Sequence, residues 1–312
     1  INPDVKPDGE NGTVDINWML EQKSNDQLEL SLGWGQTGVL LRAGIKFNNF
    51  SMRNLLGKNK LHRGFLPAGD GEQIALNAST NGKYYQSYSA SYSTGWFGGK
   101  RPNAFNVGVF YSKQTDISST YYNSAYMNSM YNYYSGYGTY GGYYNNYESF
   151  YDDDKYIQLL GVSMGWGKRL RWPDDYFQVS ATLAYQLYML KDWQYFLVRN
   201  GNCNNLNLSI ALTRNSTDNP LFPRSGSEFS ASVTLTPPWS AFDGKDYKNL
   251  ATAETYSLDR DRYYEEQKQK YKWIEYHKWK FKSRTFTALT GGQKCLVLMT
   301  RAEVGLLGSY NH

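Results

Sequence analysis

The chain has 312 residues, a formal net charge of +5 and an aromatic content of 17%. Its mean hydropathy is −0.65, and it contains no run of about 18 apolar residues, which excludes a membrane-spanning helix. The positive charge is small and dispersed, without the Lys/Arg cluster that a nucleic-acid partner requires. The two cysteines, Cys203 and Cys295, lack the spacing of a zinc site or a disulfide framework.

The first 26 residues differ from the rest of the chain. Residues 14–21 alternate between apolar and polar side chains, as a strand does, and follow a stretch rich in Pro, Asp and Gly at 3–12. We interpret this strand as the last one of a preceding domain, joined to the next by a linker at 23–27. The predicted organisation is one domain that ends within residues 1–26 and a second domain over 27–312.

The second domain opens with two strands, predicted over Leu28–Gly35 and Val39–Asn48, with a tight turn between them. Side chains of a strand alternate between its faces, so the first strand has an apolar face and a second face of small and polar residues. The outward set is Leu28, Leu30, Leu32 and Trp34, and the inward set is Glu29, Ser31, Gly33 and Gly35. On the second strand, Arg42 and Lys46 point inward.

The same alternation predicts nine further strands. In residues 205–213 it is most regular, with Leu206, Leu208 and Ile210 between polar neighbours. Segments of about 9–11 residues tilted near 45° span a bilayer, whereas ordinary strands are nearer 5–6 residues. The nine strands are predicted at 73–80, 84–94, 105–113, 157–167, 177–189, 205–213, 229–236, 273–288 and 296–306, with the one at 177–189 continuing to Phe196.

These patterns predict an all-β fold, a transmembrane antiparallel β-barrel. The polar face consists mostly of Ser, Asn, Gly, Gln and Thr, which suits a wet lumen. The alternative is a soluble β-sandwich, whose solvent face would carry more Lys and Glu. Bacterial barrels have even strand counts, and eleven strands would leave two edges unpaired in lipid. We therefore expect at least one further strand beyond His312.

Two long connections interrupt the strands. Residues 119–154 mix many tyrosines with Asn, Ser and Gly and end in three aspartates, which predicts a long loop that is either solvated or a binding surface. Residues 239–272 form a charged insert, with a short helix predicted near 263–270. Long loops of such barrels lie outside the cell and short turns face the periplasm, so both connections are expected outside.

Charged residues of the last two strands point into the predicted barrel. These residues are Lys278, Lys280, Lys282, Arg284, Arg301 and Glu303. We interpret them, together with Arg42 and Lys46, as charges that line the lumen. The sequence contains no nucleophile elbow, P-loop or metal-binding motif, and His62 and His277 have no companion cluster. It therefore predicts no catalytic residue, no metal site and no cofactor, and the protein is not expected to be an enzyme.

Four segments carry a family resemblance. Residues 14–23 read Val-Asp-Ile-Asn-Trp-Met-Leu-Glu-Gln-Lys, residues 28–35 read Leu-Glu-Leu-Ser-Leu-Gly-Trp-Gly, and residues 54–60 read Asn-Leu-Leu-Gly-Lys-Asn-Lys. Residues 218–227 read Asp-Asn-Pro-Leu-Phe-Pro-Arg-Ser-Gly-Ser. In these segments and in strand order, the chain resembles the BamA family of outer-membrane protein assembly factors.

Two positions depart from that family. Asn59 stands where a second glycine is usual in the turn after the second strand. The triplet Arg63-Gly64-Phe65 also follows the second strand, whereas the family carries its Arg-Gly-Phe/Tyr motif after the eleventh. We interpret this copy as a coincidence.

The resemblance implies a barrel of about sixteen strands, of which this chain supplies the first eleven. It implies that residues 1–26 end an array of POTRA domains and that the protein lies in the bacterial outer membrane. The implied function is folding and insertion of other β-barrel proteins without a nucleotide. The implied partners are client outer-membrane β-barrel proteins, accessory lipoproteins or surface-exposed subunits of an assembly complex, and outer-membrane lipid.

A mechanism follows from the first strand, Leu28–Gly35, as a hypothesis. Gly33 and Gly35 leave cross-strand contacts unmade, so this short strand should pair weakly with the closing strand and act as a lateral gate that templates a client strand. Alternatively, these glycines only relieve crowding in the lumen. Two other classes of protein stay open: a passive porin or energy-coupled transporter, and a surface adhesin that uses residues 119–154.

Overall fold

The structure, a computed structural model, describes residues 2–8, 12–19, 26–35, 38–57, 66–99, 102–117, 151–292 and 295–310. The chain begins with a hairpin of β1 (Asn2–Asp8) and β2 (Thr13–Met19), paired antiparallel as a separate two-stranded sheet. The predicted strand at 14–21 is therefore present as far as Met19, and residues 20–21 lie outside the described residues. Part of the stretch rich in Pro, Asp and Gly that precedes it also forms a strand, because Asn2–Asp8 pairs along the whole of β2.

A second, large sheet contains all eleven strands that the alternation predicts. Among the described residues, neighbours in the chain are neighbours in this sheet, every pair is antiparallel, and β3 and β13 form the two edges. The strands are β3 (Gln27–Gly35), β4 (Gly38–Phe50), β5 (Glu72–Asn81), β6 (Tyr85–Thr94), β7 (Asn103–Ile117), β8 (Tyr151–Arg169), β9 (Phe177–Lys191), β10 (Gly201–Asn215), β11 (Gly226–Leu235), β12 (His277–Ala288) and β13 (Val297–Gly308). The prediction of an all-β, antiparallel fold is confirmed.

The register keeps one face apolar and the other polar across the sheet. Leu208 of β10 lies opposite Leu183 of β9 and Leu235 of β11, and the next residue, Ser209, lies opposite Thr182 and Thr234. On the polar face the side chains bond to each other, as where Thr234 Oγ1 donates to Ser209 Oγ over 3.0 Å. The pairing thus extends the alternation of single strands into two continuous surfaces.

The apolar face is exposed instead of forming a core. The exposed fraction is 48% for Leu183, 41% for Leu208 and 47% for Ile210, and no second sheet covers this face within the described part of the chain. A large exposed apolar surface is typical of contact with lipid or a partner, not with water. The soluble sandwich, which needs two sheets packed face to face, does not fit this arrangement.

A small hydrophobic core lies at one end of the sheet, beyond the strands. Trp193 and Val198 pack with Leu190 and Cys203, and this cluster contains four of the five buried apolar side chains among the residues described. The predicted continuation of the strand at 177–189 to Phe196 was wrong. Strand β9 ends at Lys191 because Asp192 takes a left-handed conformation, with φ of 47°, and the Trp193 N–H donates to the Arg199 carbonyl to close a turn.

The insert between β11 and β12 covers the same end. It contains the helices α2 (Ser240–Asp243), α3 (Ala253–Leu258) and α4 (Arg260–Lys270), and a 3-10 turn at Tyr247–Asn249. The predicted helix at 263–270 is confirmed within α4. We call residues 192–200 and 236–276 together the cap.

The strand predicted at 273–288 starts later, at His277, because residues 272–274 pair with β10 instead. The Asn204 N–H donates to the Lys272 carbonyl, and the Ile274 N–H donates to the Asn204 carbonyl.

The connections after β4 and before β8 complete the fold. A five-residue helix, α1 (Met52–Leu56), follows β4, and the hydroxyl of Ser51 caps its first turn. Most of the predicted loop at 119–154 lies outside the described residues. Its final residues, from Tyr151 onward, were wrongly assigned to a loop, because β8 begins there and pairs with β7 at Ile117.

Candidate functional site

The edge strand β3 holds all the residues predicted for the lateral gate. Within the described sheet it pairs only with β4, from Gln27 opposite Lys46 to Gly35 opposite Gly38. Strand β3 has nine residues, all exposed, whereas β8 has nineteen and β9 fifteen. This backbone edge, which is unpaired within the described sheet, has the geometry on which another strand can be added. The residues predicted for the gate are Leu28, Glu29, Leu30, Ser31, Leu32, Gly33, Trp34 and Gly35.

The two faces of β3 continue the faces of the whole sheet. Its apolar row is exposed, from 69% for Leu28 to 87% for Trp34. Leu30 and Leu32 of this row line a shallow recess of about 480 Å³. Leu41 and Tyr88, which belong to the same apolar face, line its other side. An added strand that alternated in the same way would place its own apolar side chains on this surface.

The glycines of β3 are not explained by crowding with the described residues. A Cβ at Gly33 would come no closer than 3.9 Å to the Leu40 carbonyl oxygen, and nothing lies within 4 Å at Gly35. In the central strands the opposite holds, since a Cβ at Gly161 would lie 2.1 Å from the Phe110 ring and one at Gly165 would lie 2.1 Å from Asn106 Oδ1. Among the described residues, glycine at 33 and 35 therefore reduces side-chain contact without making room for a neighbour.

The predicted lumen charges of the last two strands meet on one patch of the polar face. Lys282 lies opposite Glu303 and forms an ion pair with it over 2.8 Å. Arg301 also pairs with Glu303, and Arg284 pairs with Glu228 of β11. The row formed by Lys278, Lys280, Lys282 and Arg284 runs along β12, and we call it the cation row.

Two other predicted lumen charges lie elsewhere. Arg42 and Lys46 belong to β4, opposite Ser31 and Gln27, and seven strands separate β4 from β12 in the sheet. They lie beside the edge strand, not beside the cation row.

Glu228 belongs to the charged patch but was not predicted. It precedes the strand that was predicted to begin at Phe229, whereas β11 begins at Gly226. Extending the predicted strand by one residue would have placed Glu228 on the polar face.

Arg214 forms a second polar cluster that the sequence did not reveal. Its guanidinium pairs with Asp174 over 2.9 Å and donates to the hydroxyls of Ser216 and Ser227. The cluster joins the turn before β9 to the turn before β11, at the end of the sheet opposite the cap. In the second of these turns, backbone N–H groups of Arg224 and Ser225 donate to Asp218 and lower the pKa of that carboxyl.

Neither a metal centre nor a spanning helix is found in the described ranges. Those residues contain no group of three His, Cys, Asp or Glu side chains that could hold a metal ion. No helix there is long and apolar enough to cross a membrane.

The sheet and its edge define the class of protein. An antiparallel sheet of eleven strands with an exposed apolar face and a polar face is the wall of an outer-membrane β-barrel. Residues 68–312 match the Omp85 superfamily domain. The chain belongs to the Omp85 superfamily and is an outer-membrane protein of that family.

A solved structure has the same fold. It is the crystal structure of BamA from Haemophilus ducreyi lacking POTRA domains 1–3, which is similar to this chain with a TM-score of 0.53 and 15% sequence identity. The match covers 99% of this chain and 46% of that protein, so the chain spans about half of its length. The resemblance to the BamA family that the sequence motifs indicated is confirmed at the level of family and fold. No curated protein sequence matches the chain significantly.

Proposed function

We propose that this chain is the first part of the barrel of an outer-membrane protein insertase, which folds client β-barrel proteins through a lateral gate at β3. The observation that carries the proposal is the edge strand itself. It is the shortest strand of the large sheet as described, it lies at an edge of that sheet, and a Cβ at Gly33 or Gly35 would meet no described atom closer than 3.9 Å, whereas one at Gly161 or Gly165 of β8 would clash. We call the junction between β3 and the closing strand of the barrel the seam. A junction made with such a strand is weaker than the junctions between the other strands.

The free energy for insertion comes from the client in this proposal. A client strand that pairs with β3 satisfies its backbone hydrogen bonds, and its apolar side chains leave water for lipid beside Leu30 and Leu32. The free energy from hydrogen bonding and from apolar burial increases with each client strand that is added. The mechanism needs no nucleotide, no cofactor and no catalytic residue.

The organisation and the partners belong to the same proposal. The β1–β2 hairpin forms its own sheet, which supports residues 1–26 as the end of a POTRA domain and residues 27–312 as the barrel region. The partners are client β-barrel proteins, accessory lipoproteins or surface-exposed subunits of an assembly complex, and lipid of the bacterial outer membrane. In this arrangement the cap lies outside the cell and the turns at 170–176 and 216–225 face the periplasm.

A disulfide across the seam tests the gate. In the full-length protein, Ser31→Cys is combined with a cysteine at the facing position of the closing strand, and Cys295, which is partly exposed, is replaced by serine. Oxidation should abolish insertion of an unfolded client barrel into lipid vesicles, and reduction should restore it, because a closed seam offers no edge.

The matched control locks the other side of the same strand. Ser31 and Arg42 are register partners, so Ser31→Cys with Arg42→Cys joins β3 to β4 and leaves the seam free. This variant should insert clients at the wild-type rate when oxidised. Full insertion by the seam-locked protein would refute the gate, and ion conductance without any client insertion would favour a porin or transporter instead.

A further inference from the structure

We infer that the cation row on β12 is a binding site for an acidic polypeptide segment in extended conformation. The inference concerns the polar face of β12 and β13, separated in the sheet from the edge strand β3. It does not rest on the proposed insertase function, since a lumen site for an acidic segment is compatible with any barrel of this family.

The spacing of the row matches an extended chain. Lys278, Lys280, Lys282 and Arg284 occupy every second position of one strand and therefore project from one face. Positions two apart on a strand are about 6.6–6.8 Å apart, and the same repeat holds for any extended peptide. A peptide lying along β12 with an acidic residue at every second position would meet one cation with each.

The row carries more positive charge than its own neighbours neutralise. Among the described residues of β11, β12 and β13, the polar face has five cations, counting Arg301, and two carboxylates, Glu228 and Glu303. Those carboxylates pair with Lys282, Arg284 and Arg301. Lys278 and Lys280 form no ion pair within the described chain.

The residues opposite the two unpaired lysines cannot neutralise them. Lys278 lies between Thr234 and Leu307, and Lys280 lies between Ser232 and Gly305. Gly305 has no side chain, which leaves space beside Lys280. An acidic ligand would supply the missing carboxylates.

The wall offers both room and hydrogen-bonding groups to such a ligand. Farther along β12, on the side away from the cap, Lys282 and Arg284 line a concave space of about 660 Å³ with Arg301. Ser230 and Gln178 also line this space. Hydroxyls of Ser230, Ser232 and Thr234 run parallel to the row on β11 and can bond to a peptide backbone. A straight row of cations beside a straight row of hydroxyls favours an extended peptide over a branched phosphorylated saccharide.

A binding experiment tests the inference directly. The full-length protein in lipid nanodiscs is titrated with a fluorescein-labelled peptide of alternating Glu and Ser, and fluorescence anisotropy reports binding. Lys278→Gln with Lys280→Gln should weaken binding about tenfold and reduce its dependence on salt, because two charge contacts are removed. A peptide with the same composition in two blocks, all Glu then all Ser, should bind less tightly than the alternating one.

Two control variants separate charge from folding. Lys245→Gln with Lys248→Gln removes the same charge from exposed positions of the cap and should leave binding unchanged. Lys278→Arg with Lys280→Arg keeps the charge and should bind as the wild type does. Equal binding by the Lys278/Lys280 glutamine variant would overturn the site, and so would binding of a phosphorylated oligosaccharide where the alternating peptide does not bind.

Discussion

Arg284 and Arg301 lie directly opposite each other on β12 and β13, two like charges in register. Like charges at opposite positions of a sheet destabilise it unless each is compensated. Glu228 pairs with Arg284 from β11, and Glu303 pairs with Arg301 on its own strand. Because Glu303 also pairs with Lys282, the two carboxylates compensate the like charges and link β12 to both β11 and β13.

Removing Glu228 should weaken this part of the sheet. Glu228→Gln leaves Arg284 opposite Arg301 without its carboxylate, and we expect the free energy of unfolding to fall by about 1 kcal/mol. Urea unfolding in lipid vesicles, followed by tryptophan fluorescence, measures the change. Glu265→Gln, which removes an exposed ion pair with Lys268 in the cap, should change it by less than about 0.5 kcal/mol. Equal effects of the two variants would contradict the compensation argument.

The strands and their faces could be predicted because a single rule, the period of two, determines both. Every strand of the large sheet overlaps its predicted position, with ends displaced by at most six residues, and the cation row falls on one face because its members are two residues apart. The strand ends could not be predicted from alternation alone. Strand β11 begins at Gly226 and not at Phe229, and Glu228 was missed for that reason.

Contacts between distant segments explain the remaining differences. Arg214 and Asp174 are 40 residues apart, and their pairing depends on how two turns come together at one end of the sheet. The cap depends on pairing between Asn204 and residues 272–274 across the insert. No periodic pattern in the sequence encodes either contact. In the cap, the run of apolar and aromatic residues after β9 looked like a longer strand but packs as a turn.

The turn before β11 should depend on glycine at position 226. Gly226 has φ of +106°, and a Cβ there would lie 2.3 Å from the Ser216 carbonyl oxygen. Gly226→Ala should therefore cost more than about 2 kcal/mol, since it adds a backbone clash to an unfavourable conformation. Gly244→Ala is the matched control, because Gly244 has φ of +66° with nothing within 4 Å, and it should cost about 1 kcal/mol. Urea unfolding, followed by tryptophan fluorescence, compares the two variants. Similar decreases in the free energy of unfolding would show that the clash with Ser216 does not contribute.

The cap should unfold separately from the sheet when its core is opened. Trp193 is 7% exposed and packs with Val198 and Cys203, so Trp193→Ala should destabilise the cap by about 3–5 kcal/mol. Limited proteolysis should then cut within residues 236–276 while the strands stay protected. Trp172→Ala removes the same side chain from a turn where it is 83% exposed and should leave the cleavage pattern unchanged. Cleavage of the strands of the sheet at the same rate would show that the cap is not an independent unit.

Acid should loosen the insert through Glu266. The Ala251 N–H donates to this carboxylate over 2.8 Å and Arg262 Nε donates over 2.9 Å, and these bonds lower the pKa of Glu266 below its ordinary value of 4.5. A group whose pKa is lower in the folded state stabilises that state above the unfolded pKa, and the contribution is lost as the pH falls through the folded pKa. Glu266→Gln lacks the titrating group, so its insert should be open to pepsin at every pH tested. In the wild type, the rate of cleavage within the insert, divided by the rate for Glu266→Gln at the same pH, should rise below about pH 4.5. Glu254→Gln, an exposed change in α3, should keep the wild-type profile. If Glu266→Gln also kept it, the carboxylate would not be the group that fastens residue 251 to α4.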